Sequence, residues 1–320
     1  QKDKKAVDEK YKLLLSKLDK MERERDSLLS LSNNFDTFEI LPLKSEPSEA
    51  TAFLIASDWH VAEYVDPNKI NGLNEYNLDI ARDRAEQFFK NGLRLIKIHQ
   101  KDTTIKSVVL ALLGDFISGN IHNELLENNL LLPIEEAIFA QNLLASGIEY
   151  LLSDESIKEL VIPCHSGNHA RITHDRRIST ETGNSLEYFI YHQLANHFKN
   201  EKRVKFIIAK GYHSYINVYD KVVRFCHGHN LLFYGGASGL FLPASKSIAQ
   251  YNKLKKADYD CFGHFHQRLD GGNFVSNGSN IGYNAFALSI KASFEQPQQS
   301  FFLIDKKRGK TIVAPILYDI

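Results

Sequence analysis

The sequence has few of the features that several classes of protein require, beginning with cysteine. Its 320 residues contain only three cysteines, at 164, 226 and 261, and no C-x-x-C spacing. An odd count without that spacing argues against a disulfide framework and against a thiolate zinc site. Each cysteine follows a short apolar run, so we expect reduced thiols buried in strands, in keeping with a reducing cytoplasm.

An excess of charge of one sign and long apolar segments are also missing. Lys and Arg number 39, as do Asp and Glu, so no overall basic field attracts nucleic acid or an anionic membrane, although a local patch stays possible. The longest apolar runs, such as VVLALL at 108–113, are too short to cross a bilayer. The charged segment QKDKKAVDEKYK is not a secretory signal. These features predict a folded cytoplasmic protein without a membrane span.

Residues 1–35 are predicted to form a coiled-coil-like helix. Positions 3–33 contain no Gly or Pro, and apolar residues recur at alternating steps of four and three, interrupted by Arg25. This seam comprises Val7, Tyr11, Leu14, Leu18, Met21 and Leu28. It fits self-association or a partner protein; a helix that lies on the rest of the protein is an equally open interpretation. Residues 36–50, with Pro and Ser, predict a linker.

From residue 51 to 320, apolar strand-like runs alternate with amphipathic helical stretches. We predict helices near 79–99, 134–152, 185–199 and 245–256. Predicted strands are 52–57, 107–114, 159–164, 204–208, 214–219, 222–226, 259–263, 284–290, 301–304 and 311–317. The first half has a βαβ pattern and the second half is rich in strands. This mixture predicts an α/β (α+β) fold, in which two packed β-sheets are flanked by helices.

Polar side chains of the kinds that bind metals follow five of these strands, at the point where each strand ends. Because side chains alternate along an extended segment, we expect two such residues, one position apart, to share a side of the chain. A single Asp or His in such a place is more often a turn residue or a hydrogen-bonding core residue. Five strand ends that all carry Asp, Asn or His instead predict a site for divalent metals.

The five segments are SDWH (57–60), GDFISG (114–119), GNHAR (167–171), CHGH (226–229) and GHFH (263–266). In this order they resemble the motifs of the calcineurin-like metallophosphoesterase superfamily, over roughly residues 51 to 285. The resemblance implies two β-sheets sandwiched between helices in a catalytic domain at 51–320. It also implies that a hydroxide held between two divalent metals hydrolyses a phosphoester.

The resemblance further implies a role for each motif residue. Asp58, His60 and His266 bind one metal, Asn168, His227 and His264 bind the other, and Asp115 bridges the two. His169 stabilises the transition state or protonates the leaving oxygen. Oxygen and imidazole ligands favour Mn²⁺, with Fe or Zn²⁺ as alternatives.

Several neighbouring residues have two open interpretations. His229 either orients a ligand or lies on a loop. His122 and Asn120 either face the site or begin a helix that Asn caps. After GNHAR, the segment RITHDRR offers a basic cluster that either binds substrate phosphates or is a solvated turn; the cluster comprises Arg171, His174, Arg176 and Arg177.

The substrate is predicted to be DNA or RNA, cleaved by a nuclease. The basic cluster and the N-terminal helix favour this hypothesis, and SDWH, GDFISG-x-x-H and NGSN-x-GY are similar to phage- or prophage-borne exonuclease-like members. The alternative is a phosphatase or a phosphodiesterase for cyclic nucleotides or other small molecules, which the zero net charge favours. A remote alternative is a non-catalytic scaffold that acts through the helix.

Overall fold

The computed structural model describes residues 2–32, 48–232 and 239–319. The chain divides into two compact units, Gln1–Glu46 and Pro47–Ile320. In the first unit, α1 is one helix over Lys2–Ser32, which confirms the predicted helix, while its pairing as a coiled coil stays a prediction. The linker predicted at 36–50 lies mostly outside the described residues, and its last three residues belong to a strand instead.

The second unit has two β-sheets. Its strands are β1 Ser48–Ala56, β2 Thr103–Leu112, β3 Glu159–Cys164, β4 Val204–Ile208, β5 Ser214–Val218, β6 Lys221–Phe225, β7 Tyr259–Phe262, β8 Leu269–Asp270, β9 Phe274–Ser276, β10 Gln298–Asp305 and β11 Gly309–Leu317. One sheet has the order β11-β10-β1-β2-β3-β4, with β1 to β4 parallel, and the other has the order β5-β6-β7-β9-β8. Parallel β1, β2 and β3 therefore end at the same edge of the first sheet.

Side chains that alternate along the strands build a separate core on each face of the sheets. Along β1, Leu54 packs on the outer face of the first sheet, whereas Phe53 and Ile55 pack between the sheets. Phe53 stacks on Phe302 of β10, with ring centroids 4.4 Å apart. The other sheet contributes to the same inner core, for example through Val223. The two sheets are thus packed face to face, as predicted.

Helices cover the outer faces of both sheets. The α-helices described in this unit are α2 Leu78–His99, α3 Asn123–Asn128, α4 Pro133–Leu152, α5 Leu186–His197, α6 Phe241–Leu254 and α7 Ala285–Ser289. Buried side chains of α2, α4 and α5 pack on the first sheet, and Ala244 and Ile248 of α6 pack on the second. Asn77 caps α2 by accepting hydrogen bonds from the amides of Asp79 and Ile80. None of the described helices is long and apolar enough to span a membrane.

Three elements differ from the sequence predictions. The predicted strand at 284–290 is instead the short helix α7, because the Asn284 side chain accepts a hydrogen bond from the Ala287 amide and so starts a helical turn. Strands β8 and β9, of two and three residues, are too short to leave a periodic pattern. Helix α3, of six residues, begins at Asn123, where the sequence left the start of a helix open.

Candidate metal centre

All five motifs lie just beyond the end of a strand. β1 ends at Ala56, β2 at Leu112, β3 at Cys164, β6 at Phe225 and β7 at Phe262, and the motif residues follow within a few positions. The three cysteines are free and buried, as predicted; Cys164 and Cys261 lie in strands, and Cys226 directly follows one. The strand ends of both sheets thus supply side chains to one region.

The backbone at these motifs is not extended, which corrects the expectation of strand-like alternation. Among the described residues, nine non-glycine residues have a positive φ, and five of them are predicted ligands. These five are Asp58 (57°), His60 (47°), Asp115 (54°), His264 (73°) and His266 (53°). Left-handed backbone is unfavourable for such residues and is typical of functional sites. The intervening Trp59 does point into the core, where its ring meets Phe116 edge-on at 5.0 Å.

A first group of metal-type side chains brings together Asp58, His60 and His266. One ligand atom from each lies within 4.8 Å of the others, and His266 Nε2 is 3.5 Å from Asp58 Oδ1. Burial raises the pKa of the Asp58 carboxyl to about 7 and lowers that of His60 well below its usual value. His60 is therefore neutral and keeps a lone pair for a metal, and a nearby cation would stabilise the Asp58 carboxylate.

A second group brings together Asp115, His227 and His264, again within 4.8 Å. His227 Nε2 lies 2.9 Å from Asp115 Oδ2 and 3.2 Å from Asn168 Oδ1. Asp115 also belongs to a third group, with His60 and His169. Asp115 and His60 each belong to two of the three groups, and of these two only the Asp115 carboxylate has two oxygens to offer to two metals.

The hydrogen-bond partners of the His227 ring indicate whether a cation fits this position. Its Nδ1 lies 2.6 Å from the Leu113 carbonyl oxygen, an acceptor, so Nδ1 carries the hydrogen. Nε2 then faces two oxygens, and only a proton or a metal ion between them makes that contact favourable. Burial lowers the pKa of His227, but the Asp115 and Asp58 carboxylates raise it, to about 10 in all. The position therefore demands positive charge, which a divalent metal supplies.

His60 gives a second, independent indication. Both of its ring nitrogens are buried without a hydrogen-bond partner among the described residues. An unpaired polar group in the interior costs free energy, which coordination of a metal would offset. The residues present therefore fit a dinuclear centre.

His169 differs from the metal-type residues around it. Its amide donates to Asp115 Oδ1 at 2.8 Å, and its Nδ1 donates to the Ser118 carbonyl oxygen at 2.9 Å. The ring lies edge-on to that of His60, with centroids 4.6 Å apart. It is half-buried, whereas His60 is fully buried. His169 is thus held beside the cluster while remaining reachable from solvent.

A buried hydrogen-bond network positions Asp58. The hydroxyl of Ser57 donates to Asp58 Oδ2 at 2.5 Å and accepts from Asn277 Nδ2 at 2.9 Å. Gln299 Oε1 accepts from the Ser57 amide at 2.9 Å and from Asn277 Nδ2 at 3.1 Å. Residues of this kind orient metal ligands. This role of Ser57, Asn277 and Gln299 was not predicted from the sequence, because only the fold brings Asn277 and Gln299 near Ser57 and Asp58.

Two buried carboxylates hold the motif loops. Glu187 of α5 accepts hydrogen bonds from the amides of Phe116 and Gly167, at 2.6 and 2.7 Å, and so ties the second motif to the third. Glu136 of α4 accepts from the Gly119 amide at 2.9 Å. Burial raises the pKa of Glu187 to about 8 and that of Glu136 to about 7. Nothing local in the sequence distinguishes these two glutamates from surface residues.

Glycines permit the motif loops to approach one another. A Cβ on Gly114 would lie 2.1 Å from the Gly167 nitrogen, and one on Gly263 would lie 2.4 Å from Asp58 Oδ2. Gly114 also has a φ of 87°. A side chain at either position would separate the loops, so the G-D and G-H pairs of the motifs have a packing reason.

The neighbouring histidines have different surroundings. His229 is buried, with its ring centroid 5.5 Å from that of His227 and its Nε2 3.2 Å from Glu181 Oε1. His122 is exposed, with its ring centroid 6.2 Å from that of His169. It directly precedes α3, where its side chain makes no capping hydrogen bond. Because His122 occupies the N-cap position of α3, Asn120 is not the cap of this helix.

The predicted basic cluster divides into two parts. Arg171 donates to the Asn168 carbonyl oxygen at 2.6 Å, and Arg176 donates to the His229 carbonyl oxygen at 2.8 Å. These two guanidinium groups hold the loops that carry candidate ligands. His174 and Arg177 instead point into solvent, where both pair with Asp175 at 2.9 and 3.2 Å.

Comparisons with known proteins show a remote likeness. Neither a protein-family model nor a curated protein matches the sequence. An archaeal phosphodiesterase is 12% identical, with 82% of this chain and 99% of that chain covered and a TM-score of 0.39. A hypothetical protein from Pyrococcus horikoshii OT3 is 13% identical, with 85% and 89% covered and a TM-score of 0.39. Vps29 from Entamoeba histolytica, solved in complex with zinc, is 13% identical, with 65% and 98% covered and a TM-score of 0.30.

The fold itself agrees with the resemblance that the motifs carry. Two sheets pack face to face between helices, and the five motifs lie in order at their strand ends. This is the arrangement that the resemblance to the calcineurin-like metallophosphoesterases implies.

Proposed function

We propose that the chain is a dinuclear-metal-dependent phosphoesterase that hydrolyses phosphodiester bonds, with nucleic acid as its substrate. The observation that carries the proposal is the convergence of Asp58, His60, Asp115, His227, His264 and His266 into overlapping groups of possible metal ligands. The need for positive charge beside His227 Nε2 supports it.

Asp58, His60 and His266 are proposed to hold one divalent ion, and Asn168, His227 and His264 the other. Asp115 is proposed to bridge them, because it belongs to two of the three groups and, unlike His60, offers two oxygens. Mn²⁺ is the proposed ion, with Fe or Zn²⁺ as alternatives. Two such ions supply a nucleophile at neutral pH and offset negative charge on the phosphoryl oxygens.

His169 is proposed to act on the leaving oxygen. Since its Nδ1 hydrogen is donated to the Ser118 carbonyl, the ring can donate from Nε2 only when it is protonated. Burial lowers the pKa of His169, and the negative charge of a bound phosphate ester would raise it again. Protonation coupled to substrate binding suits a general acid.

Nucleic acid is the proposed substrate because basic side chains surround the third motif. A small-molecule phosphodiesterase or a phosphatase is the second candidate. It is favoured by the bonds of Arg171 and Arg176, which are directed to backbone carbonyls of the protein and not to the surface.

Hydrolysis of bis(4-nitrophenyl) phosphate by the purified full chain with Mn²⁺ tests the class of reaction. We expect turnover that EDTA abolishes and that Mn²⁺ restores. Asp115→Ala, purified in the same way, controls for a contaminating hydrolase. Absence of turnover with Mn²⁺, Fe²⁺ and Zn²⁺ would contradict the proposal and favour a non-catalytic scaffold.

Labelled single- and double-stranded DNA and RNA, compared with a panel of phosphomonoesters, then test the substrate. We expect the polynucleotides to be cleaved with the higher kcat/KM. A preference for monoesters would reject the nuclease hypothesis in favour of a phosphatase.

A further inference from the structure

A cavity of about 180 Å³ adjoins the candidate metal centre and shares His169 with it. It lies between the end of the second motif and the start of α4 on one side, and the third motif and the start of α5 on the other. Its lining comprises Gly119, Asn120, Pro133, Ile134, His169, Ala170, Arg171, Ile172 and Leu186. A phosphoester at the metal centre would therefore have one of its substituents beside this cavity.

Apolar side chains form much of the lining. Ile134, at the start of α4, and Ile172, in the loop, have 61% and 66% of their surfaces exposed to solvent. Pro133 and Leu186 contribute further apolar surface. Exposed isoleucines gain free energy when a ligand covers them, at about 25 cal/mol for each Å² of apolar surface removed from water.

The walls of the cavity are fixed by hydrogen bonds. The Ile172 amide donates to the Asn184 carbonyl oxygen, and the Leu186 amide donates to the Ala170 carbonyl oxygen, both at 2.9 Å. On the other side, the Gly119 amide donates to Glu136 of α4. The cavity is therefore formed before a ligand arrives and does not need a loop to order around it.

Two polar side chains define the chemistry of the occupant. Asn120 is exposed and offers an amide donor and acceptor, the pair that reads the edge of a purine. Arg171 presents a planar guanidinium, on which bases stack. Apolar walls alone would suit any hydrocarbon; in combination with an amide and a guanidinium they suit a flat heteroaromatic ring.

We infer that this cavity binds the nucleobase of a nucleotide ester whose phosphate lies at the metal centre. The inference rests on the proposed function and adds the place where the base next to the scissile bond is bound. Pockets for larger ligands occupy about 300–1,000 Å³, so this cavity takes a single base and not a stack of bases. Ile134 and Ile172 would then contact the base and favour ligands that carry one over ligands that do not.

Calorimetric titration of the Mn²⁺-loaded full chain tests the cavity directly. Adenosine 5′-monophosphate and ribose 5-phosphate share the same phosphate and sugar and differ only in the base. We expect the nucleotide to bind at least about tenfold more tightly, since a base contact contributes about 1–3 kcal/mol. Equal affinities would overturn the inference. Phenyl phosphate that binds as tightly as the nucleotide would also overturn it, because the cavity would then recognise any ring.

Ile134→Asp and Ile172→Asp should remove most of the tenfold preference and leave the affinity for ribose 5-phosphate within about twofold. An acidic residue suits the first turn of α4, so Ile134→Asp is expected to fold. Ile138→Asp is the matched control, because Ile138 is also exposed on α4 but does not line the cavity. Loss of the preference in the control, or its retention in both cavity variants, would contradict the inference.

The outcomes separate this inference from the proposed function. Wild-type protein that hydrolyses bis(4-nitrophenyl) phosphate but binds both phosphates equally would reject the base-binding cavity alone. Protein that prefers the nucleotide but hydrolyses no ester would reject the enzyme and retain the cavity as a nucleotide-binding site.

Discussion

The candidate metal centre has a buried group and a rim group, and the two are built differently. The buried group is Asp58, His60, Asp115 and His227, each with at most 2% of its surface exposed. The rim group is Asn168, His169, His264 and His266, of which the three histidines are half-buried. Both groups come from the same kind of loop at a strand end, so position in the sequence does not separate them.

The difference lies in their contacts. Residues of the buried group are enclosed by the protein, and His227 contacts the Leu113 carbonyl, Asp115 and Asn168. His169, in the rim group, is held through its amide and Nδ1 and still reaches solvent. We therefore expect the buried group to determine metal affinity and stability, and His169 to meet a substrate.

Removal of the shared carboxylate should give the largest effect. Asp115→Ala is expected to lose bound metal and to reduce turnover by about 10³-fold or more, since metals contribute several kcal/mol of transition-state stabilisation. Mass spectrometry of the metal content and the rate of bis(4-nitrophenyl) phosphate hydrolysis measure the two losses. Asp102→Ala, at an exposed position before β2, should retain both. Full metal content in Asp115→Ala would remove the distinction between the groups.

Within the rim group, His169 is the residue that should affect chemistry without affecting metal. His169→Ala is expected to keep its metal content and to lose about 10²–10⁴-fold in kcat, the usual contribution of a general acid. The same two measurements apply, with exposed His192→Ala of α5 as the control. If His169→Ala loses metal as Asp115→Ala does, His169 acts as a ligand and the proposed role is wrong.

A residue behind the buried group should give an intermediate effect. Asn277→Ala removes the donor to Ser57 and the acceptor for the Ser300 amide. We expect metal affinity to fall about 10–100-fold and the free energy of unfolding to fall by about 1–3 kcal/mol. Metal titration and urea unfolding measure these changes, and Asn273→Ala, at an exposed position before β9, is the control. Unchanged metal affinity would show that the network supports the fold but not the site.

Substitutions of Arg176 and Arg177 should have the smallest effects. They compare an arginine that is bonded to the protein with one that is exposed at the surface. Arg176→Ala loses the hydrogen bond to the His229 carbonyl and should lower the free energy of unfolding by about 1 kcal/mol. Arg177→Ala breaks only an exposed pair with Asp175 and should change it by less than about 0.5 kcal/mol. Urea unfolding of both variants checks this order. A DNA KM that rises only in Arg177→Ala would assign the exposed part of the cluster to substrate binding.

The strands were predictable where apolar residues and turn residues mark them clearly. β3 and β4 begin and end where the sequence predicts, because each is a short apolar run between polar segments. The segment at 284–290 shows the limit of this reasoning. Its alternation of apolar and small residues fits a strand, but the local capping by Asn284 produces a helix, and Phe286 and Ile290 remain exposed.

The candidate ligands were also accessible from the sequence, since each follows a strand end and strand ends meet in a two-sheet fold. The backbone conformation of these residues was not predictable from the sequence. Alternation places the side chains of Asp58 and His60 on the same side of the chain only if the chain is extended. Both residues have positive φ instead. A non-glycine residue keeps a left-handed backbone conformation only when surrounding contacts stabilise it, and those contacts are tertiary.

By itself, the sequence determined the two-sheet α/β architecture, the long N-terminal helix and the set of residues able to bind metals. These depend on local periodicity and on residue chemistry, which a linear pattern records. Only the tertiary structure decided which of these side chains are buried, that Glu187 and Gln299 support them, and that a cavity opens beside His169. Those features depend on contacts between residues as far apart as Ser57 and Gln299, which no local pattern encodes.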